Sequence, residues 1–233
     1  MSWFPPPAAG GGPYAFVSQV ENSDNATGVG SIVAPAITVS AGNLLVAIVG
    51  YDWTNASPRT GTLSSSPTNT WTEMASGTFN GQYGIRAYYS WNSASGSTTC
   101  TWTPNTNVNY PSIAVFQFSG IRSASDPLTG TPVFGSQASP GTGTDGVTSG
   151  NTTPGGQPAL VFGFGFDVLG TTPAPVAGTG YTSLTAVWDY DGVISVSARG
   201  EHKRVTSTSA TAATFTAQVN ELHFSFVAAF LEP

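Results

Sequence analysis

The second half of this chain echoes the first, and the echoed pieces are apolar strands. Gly42-Asn43-Leu44-Leu45-Val46-Ala47-Ile48-Val49-Gly50-Tyr51-Asp52 returns as Gly156-Gln157-Pro158-Ala159-Leu160-Val161-Phe162-Gly163-Phe164-Gly165-Phe166-Asp167, and Pro111–Gly120 is matched by Leu222–Leu231. Matched elements lie about 110–116 residues apart, a little under half the chain, so one strand order is used twice. The repetition constrains architecture and carries no catalytic loop with it.

Strands are expected where apolar and polar residues alternate, or where short apolar runs lie between turn residues. The pattern predicts Tyr14–Val20, Ser31–Val39, Gly42–Asp52, Asn69–Ala75, Tyr83–Asn92, Ser97–Thr103, Ser112–Ser119, Ala159–Asp167, Tyr181–Tyr190, Val193–Val205, Ala210–Thr216 and Leu222–Leu231. No window carries a 3.6-residue apolar stripe, which leaves an all-β fold, an antiparallel jelly-roll-like β-sandwich built from two related halves. The halves are expected at about 14–125 and 156–233, after an N-terminal arm at 1–13. The Gly/Ser/Thr/Pro-rich stretch 126–158 reads as the joining loop region. A single sandwich in which the halves share strands is preferred to two separate ones.

Faces follow from the alternation. Tyr83, Ile85, Ala87, Tyr89 and Trp91 form one apolar set, leaving Arg86, Tyr88 and Ser90 outward. Leu222, Phe224, Phe226, Ala228 and Phe230 form a second, and Leu160, Phe162, Phe164 and Phe166 a third, with Gly163 and Gly165 behind it. Trp102 and Cys100 share a face and read as core. Asp191-Gly192 is a two-residue hairpin signal.

Composition narrows the partners. Charged residues are 8% of the chain, against roughly 25% in ordinary globular proteins, so hydroxyl and amide groups must solvate the surface. The net charge is −6 with six Lys plus Arg. The one basic cluster is Lys203-Arg204 with Arg199, too little for a phosphate-lined partner or an anionic bilayer, so neither nucleic acid nor membrane is expected. The single cysteine, Cys100, permits no internal disulfide. The N-terminus lacks a basic segment followed by an apolar run and does not read as a secretory signal.

Motifs for chemistry are absent. No nucleophile elbow, phosphate loop, calcium loop or tightly spaced metal-ligand set occurs, and no cofactor or catalytic residue is assigned. His202 and His223 are the only histidines. A carboxylate pair serving glycoside hydrolysis needs two groups about 5–9.5 Å apart, and Asp52 with Asp167, at equivalent strand ends, is one pair to test. Aromatic side chains offer flat faces for sugar stacking, the candidates being Tyr51, Trp53, Tyr88, Trp188 and Tyr190. In the arm, Trp3 and Phe4 precede the stiff Pro5-Pro6-Pro7 and the hinge Gly10-Gly11-Gly12, a plug on a spacer suited to docking on another subunit.

The segments Gly-Asn-Leu-Leu-Val-Ala at 42–47, Asn-Thr-Trp-Thr at 69–72, Tyr-Tyr-Ser-Trp at 88–91, Thr-Ala-Ala-Thr-Phe-Thr at 211–216 and Val-Ala-Ala-Phe at 227–230 resemble a group of bacterial and phage jelly-roll β-sandwich surface or virion proteins. The resemblance implies a non-enzymatic structural protein of a phage virion, made in the host cytoplasm. A head decoration (cement) protein or a fibre component fits best, with other virion subunits and copies of itself, a trimer among the arrangements, as partners. A carbohydrate-binding or adhesion module, extracellular and with a glycan as partner, and a jelly-roll glycan hydrolase or lyase stand as alternatives.

Overall fold

Leu44–Asp52 is apolar on both faces, and a strand of that kind must be covered on both sides. The computed structural model describes residues 13–52, 59–79, 83–138, 144–168, 174–190, 196–218 and 222–233. Of these described residues 67% are strand and none is helical. In the first half β1 (Ala15–Ser23), β3 (Leu44–Asp52), β5 (Thr72–Phe79), β6 (Tyr83–Ser90) and β8 (Asn109–Ser119) form a five-stranded sheet of order β1-β8-β3-β6-β5. A three-stranded sheet, β2-β7-β4, covers its outer face, from β2 (Ile32–Val39), β4 (Gly61–Ser66) and β7 (Gly96–Pro104).

The second half repeats this arrangement strand for strand. Its large sheet, β9-β16-β11-β14-β13, is built from β9 (Leu128–Ala138), β11 (Ala159–Val168), β13 (Thr182–Tyr190), β14 (Val196–Val205) and β16 (Leu222–Leu231). Its small sheet, β10-β15-β12, comes from β10 (Thr144–Thr148), β12 (Val176–Ala177) and β15 (Thr214–Gln218). Adding eight to each strand number of the first half reproduces the second, so the sequence echo is a structural repeat. All pairing between neighbours in the sheets is antiparallel.

The four sheets stack, with the two large ones inside. Between them lies the main core, to which Leu44, Val46 and Ile48 of β3, Phe116 and Phe118 of β8, the Leu160/Phe162/Phe164/Phe166 set and the Phe224/Phe226/Ala228/Phe230 set contribute. Phe116 and Phe162, one from each half, meet at 5.1 Å between ring centroids. Two smaller cores lie under the outer sheets: Ala47, Val49, Tyr51, Tyr88, Cys100 and Trp102 in the first half, and Val147, Val161, Ala213, Phe215, Val227 and Ala229 in the second. The central strands of each large sheet are thus covered on both faces, and the alternating glycines of β11 become intelligible. A Cβ on Gly165 would sit 2.7 Å from the Phe215 ring, and one on Gly163 would sit 2.6 Å from Ala213 Cβ. The small sheet packs closely because these side chains are missing.

Three expectations are corrected. The halves do not share strands; among the described residues each strand pairs only within its own half, and the two sandwiches meet face to face. The stretch 126–158 is not a plain loop, since it contains β9 and β10, which extend the second pair of sheets. Arg86, Tyr88 and Ser90 do not face solvent, being 5%, 3% and 1% exposed beneath or beside the small sheet. The apolar sets facing the main core fall where alternation places them. All of the 1–13 arm but Pro13, and the Asp191-Gly192 turn, lie outside the described residues.

Candidate functional site

The polar groups capable of chemistry gather on the inner faces that the small sheets cover. In the first half, Tyr51 on β3 stacks on Trp102 of β7 at 5.1 Å between centroids and 23° between planes. Its hydroxyl donates to the Arg59 carbonyl at 2.7 Å. Arg86 on β6 donates Nε to the same carbonyl at 2.7 Å, Nη2 also to it, and Nη1 to Glu73 Oε1 at 2.5 Å. Tyr88 Oη donates to the Gly61 carbonyl at 3.3 Å and accepts from Trp102 Nε1 at 3.1 Å. Burial pushes the Tyr88 hydroxyl up to about 12, so it stays protonated.

In the second half, Glu201 on β14 is fully buried. Its two carboxyl oxygens accept from Gly178 N at 2.8 Å and Thr214 N at 3.1 Å. Burial raises it to about 7, against the opposing pull of those two N–H groups. At the other end of the same face, Asp167 Oδ1 lies 2.6 Å from His223 Nδ1, both side chains almost wholly out of water. Burial raises the Asp167 carboxyl, and the His223 contact works against it. His202 faces the main core instead. It accepts or donates at 2.8 Å with the Tyr14 hydroxyl, and burial lowers its pKa.

These placements redraw the candidate list. Tyr51, Tyr88 and Trp188 are 4%, 3% and 1% exposed, so none offers a free ring face to a sugar. Trp188 lies in the main core, edge-on to Phe164 and Phe166 at 5.2 and 5.4 Å. Trp53, Trp3, Phe4, Pro5, Pro6 and Pro7 lie outside the described residues, as does the side chain of Tyr190. Asp52 and Asp167 do not confront each other. Asp52 lies two residues beyond Gly50 on the β3 face that meets Trp188 and Phe166, whereas Asp167 shares the β11 face that meets Phe215. The register also displaces the pair by one residue, since Tyr51, not Asp52, matches Asp167 when Ala47 and Gly163 are aligned through Val115 and Val227.

Ser225 shares a face with His223 and Asp167, and the three look on paper like a Ser-His-Asp set. Ser225 Oγ and His223 Nε2 each lack a hydrogen-bond partner and are fully buried, so no nucleophile–base contact forms. Among the described residues no group of three or more His, Cys, Asp or Glu is placed to hold a metal.

Two hollows open at the end of the first sandwich. One, of about 370 Å³, is lined by Thr68, Asn69, Thr70, Trp91, Asn92 and Ala94. The other, of about 660 Å³, is bordered by Asn43, Ile121, Arg122, Ser123 and Ser125. Alternation puts Trp91 in the core, and its ring does pack against the core edge. But β6 ends at Ser90, and Trp91 lies beyond it, only partly buried. The signal was present in the run Asn92-Ser93-Ala94-Ser95-Gly96, turn residues that stop the strand before Trp91.

Comparison with protein-family models, with curated proteins and with solved structures returns no match. The geometry of the buried polar groups ties layers together through Tyr88, which bonds the Gly61 carbonyl, and Glu201, which accepts from Gly178 N and Thr214 N, while Arg86 joins β6 to the neighbouring β5 through Glu73.

Proposed function

We propose that this chain is a non-enzymatic structural protein, an accessory subunit of a phage virion of the head-decoration or fibre type. It works by associating with copies of itself and with other virion subunits, the 1–13 arm serving as one docking element. The observation that carries this reading is the use made of the reactive groups. Arg86, Tyr51, Tyr88, Glu201 and the Asp167–His223 pair are buried between layers, and their contacts are to the protein itself. A molecule arranged this way is built for rigidity. The strand order supports a jelly-roll-like wrapping within each half, since first and last strands lie side by side in one sheet and second and seventh in the other.

The test is the solution mass by light scattering of the full chain and of a variant lacking residues 2–13. The full chain should be an oligomer that weakens or dissociates on truncation. Two monomers would remove self-association through the arm.

The glycan-binding alternative loses Tyr51, Tyr88 and Trp188 as platforms because they are buried. What favours keeping it is the incompletely buried Trp91 lining a polar groove. A hydrolase or lyase would need facing carboxylates, and Asp52 with Asp167 does not supply them.

A further inference from the structure

We infer that the groove between the 67–71 and 91–94 segments binds a neutral sugar ring, with Trp91 as its stacking face. The inference goes beyond a structural role and stands on three observations.

The first is the platform. Trp91 follows β6, is partly buried against the main core, and is one of the residues lining the groove. An indole held from behind presents a fixed apolar plane, which suits the C–H face of a pyranose.

The second is chemistry. The other side chains lining the groove are hydroxyl, amide or methyl groups, those of Thr68, Asn69, Thr70, Asn92 and Ala94, with no charge among them. Thr68, Thr70 and Asn92 are exposed. Hydroxyls and an amide around an aromatic plane match a ligand that is apolar on one face and hydroxylated at its rim. An anion would find no cation here, and a cation would find no carboxylate.

The third is that the groove is already organised. Asn69 Nδ2 donates to Ser65 Oγ at 3.1 Å and to the Pro67 carbonyl at 3.2 Å, while its Oδ1 accepts from Ala94 N at 2.8 Å. Trp71 Nε1 donates to the same Ser65 Oγ at 3.2 Å. Asn92 adopts φ 53°, the left-handed turn that starts the second wall. Ser93 in turn holds the Asn43 carbonyl through its hydroxyl at 2.8 Å. Both walls are thus fixed before a ligand arrives, which lowers the ordering cost of binding. The cavity of about 370 Å³ lies within the range of ordinary small-ligand sites.

The experiment is ¹⁹F NMR on the full chain labelled with 5-fluorotryptophan, titrated with cellohexaose, xylohexaose, mannohexaose and maltohexaose. The Trp91 resonance is identified as the one missing from the Trp91→Phe variant. At least one hexaose should move that resonance, with saturation. The same hexaose should bind at least about tenfold more weakly to Trp91→Ala. The Thr68→Ala/Thr70→Ala double variant, which touches only exposed hydroxyls, should weaken it several-fold, and this variant carries the test if Trp91→Ala does not fold. The inference is overturned if no hexaose moves the Trp91 resonance up to about 10 mM. It is equally overturned if a different tryptophan responds, or if the threonine variant binds as the parent does.

Discussion

Tyr88 and Glu201 occupy the same register position in the two halves of the molecule. Tyr88 lies opposite Ala47, which pairs on its other side with Val115; Glu201 lies opposite Gly163, which pairs with Val227. Each reaches from the middle of a large sheet to the edge strand of the small one. Tyr88 donates to the Gly61 carbonyl at the start of β4, and Glu201 accepts from Gly178 N just past β12. The tie is conserved in position between the repeats while its polarity is reversed.

The reversal has a pH consequence. Glu201 is raised in the folded chain from its ordinary 4.5 to about 7. A raised carboxyl disfavours the ionised form in the native state, so the unfolded chain releases its proton first as pH climbs. Stability from this group is therefore highest below about 4.5, falls through the window from 4.5 to 7, and is level above it, a loss of about 3 kcal/mol at most. The lowered His202 acts in the opposite direction, losing stability as pH falls through the imidazole range. The difference between parent and Glu201→Gln isolates the carboxyl: urea midpoints should converge toward high pH or cross, with the variant flatter across 4.5–7. Parallel curves would show that Glu201 does not titrate in that window.

Asp167 and His223 form a buried pair, and removing one partner leaves the other without its contact. Either Asp167→Val or His223→Leu should cost about 3–5 kcal/mol, whereas the double replacement Asp167→Val/His223→Leu should cost less than the two singles together. Denaturant unfolding of the four proteins measures the coupling. Strict additivity would mean that the 2.6 Å contact contributes nothing.

Gly165→Ala places a methyl group 2.7 Å from the Phe215 ring and forces the small sheet outward. The expected cost is about 1–3 kcal/mol. Gly146→Ala, on β10, meets nothing within 4 Å and should stay within about 0.5 kcal/mol of the parent. Thermal unfolding of both variants distinguishes close packing from a general effect of losing glycine.

Cys100 is 1% exposed, and burial pushes its thiol up to about 12. A disulfide reagent at neutral pH should leave the native chain unlabelled for hours and label it at once in denaturant. Rapid native labelling would mean that the β2-β7-β4 sheet opens readily from the large sheet beneath it.

The main-core residues were legible because alternation reports faces directly. Phe224, Phe226 and Phe230 fell where period two put them, and the echo between Gly42–Asp52 and Gly156–Asp167 did mark equivalent strands. What escaped was the second covering. Arg86, Tyr88 and Glu201 are polar, and polarity at alternate positions reads as solvent whether or not another layer lies above. The layers that cover them were faint for the same reason: β4 is Gly-Thr-Leu-Ser-Ser-Ser and β10 is Thr-Asp-Gly-Val-Thr, hydroxyl-rich strands that lean on a thin core and need few apolar residues. The one-residue slip between Asp52 and Asp167 was invisible because matching letters does not fix the pleat. Trp91 does pack against the core as alternation places it, but β6 ends at Ser90 and leaves it only partly buried.

The repeat has a consequence for how the chain tolerates being cut. Among the described residues all strand pairing closes within 15–119 or within 128–231, and the segment between them carries no strand. Cleaving it at Ser123–Ser125 leaves every ladder whole. What then holds the pieces is the aromatic face between the large sheets, with side bonds such as Tyr14–His202 and Gln19 to the Thr185 carbonyl. Two fragments cut there and expressed apart are expected to reassociate through that face, which mixing them and measuring the mass of the product would check.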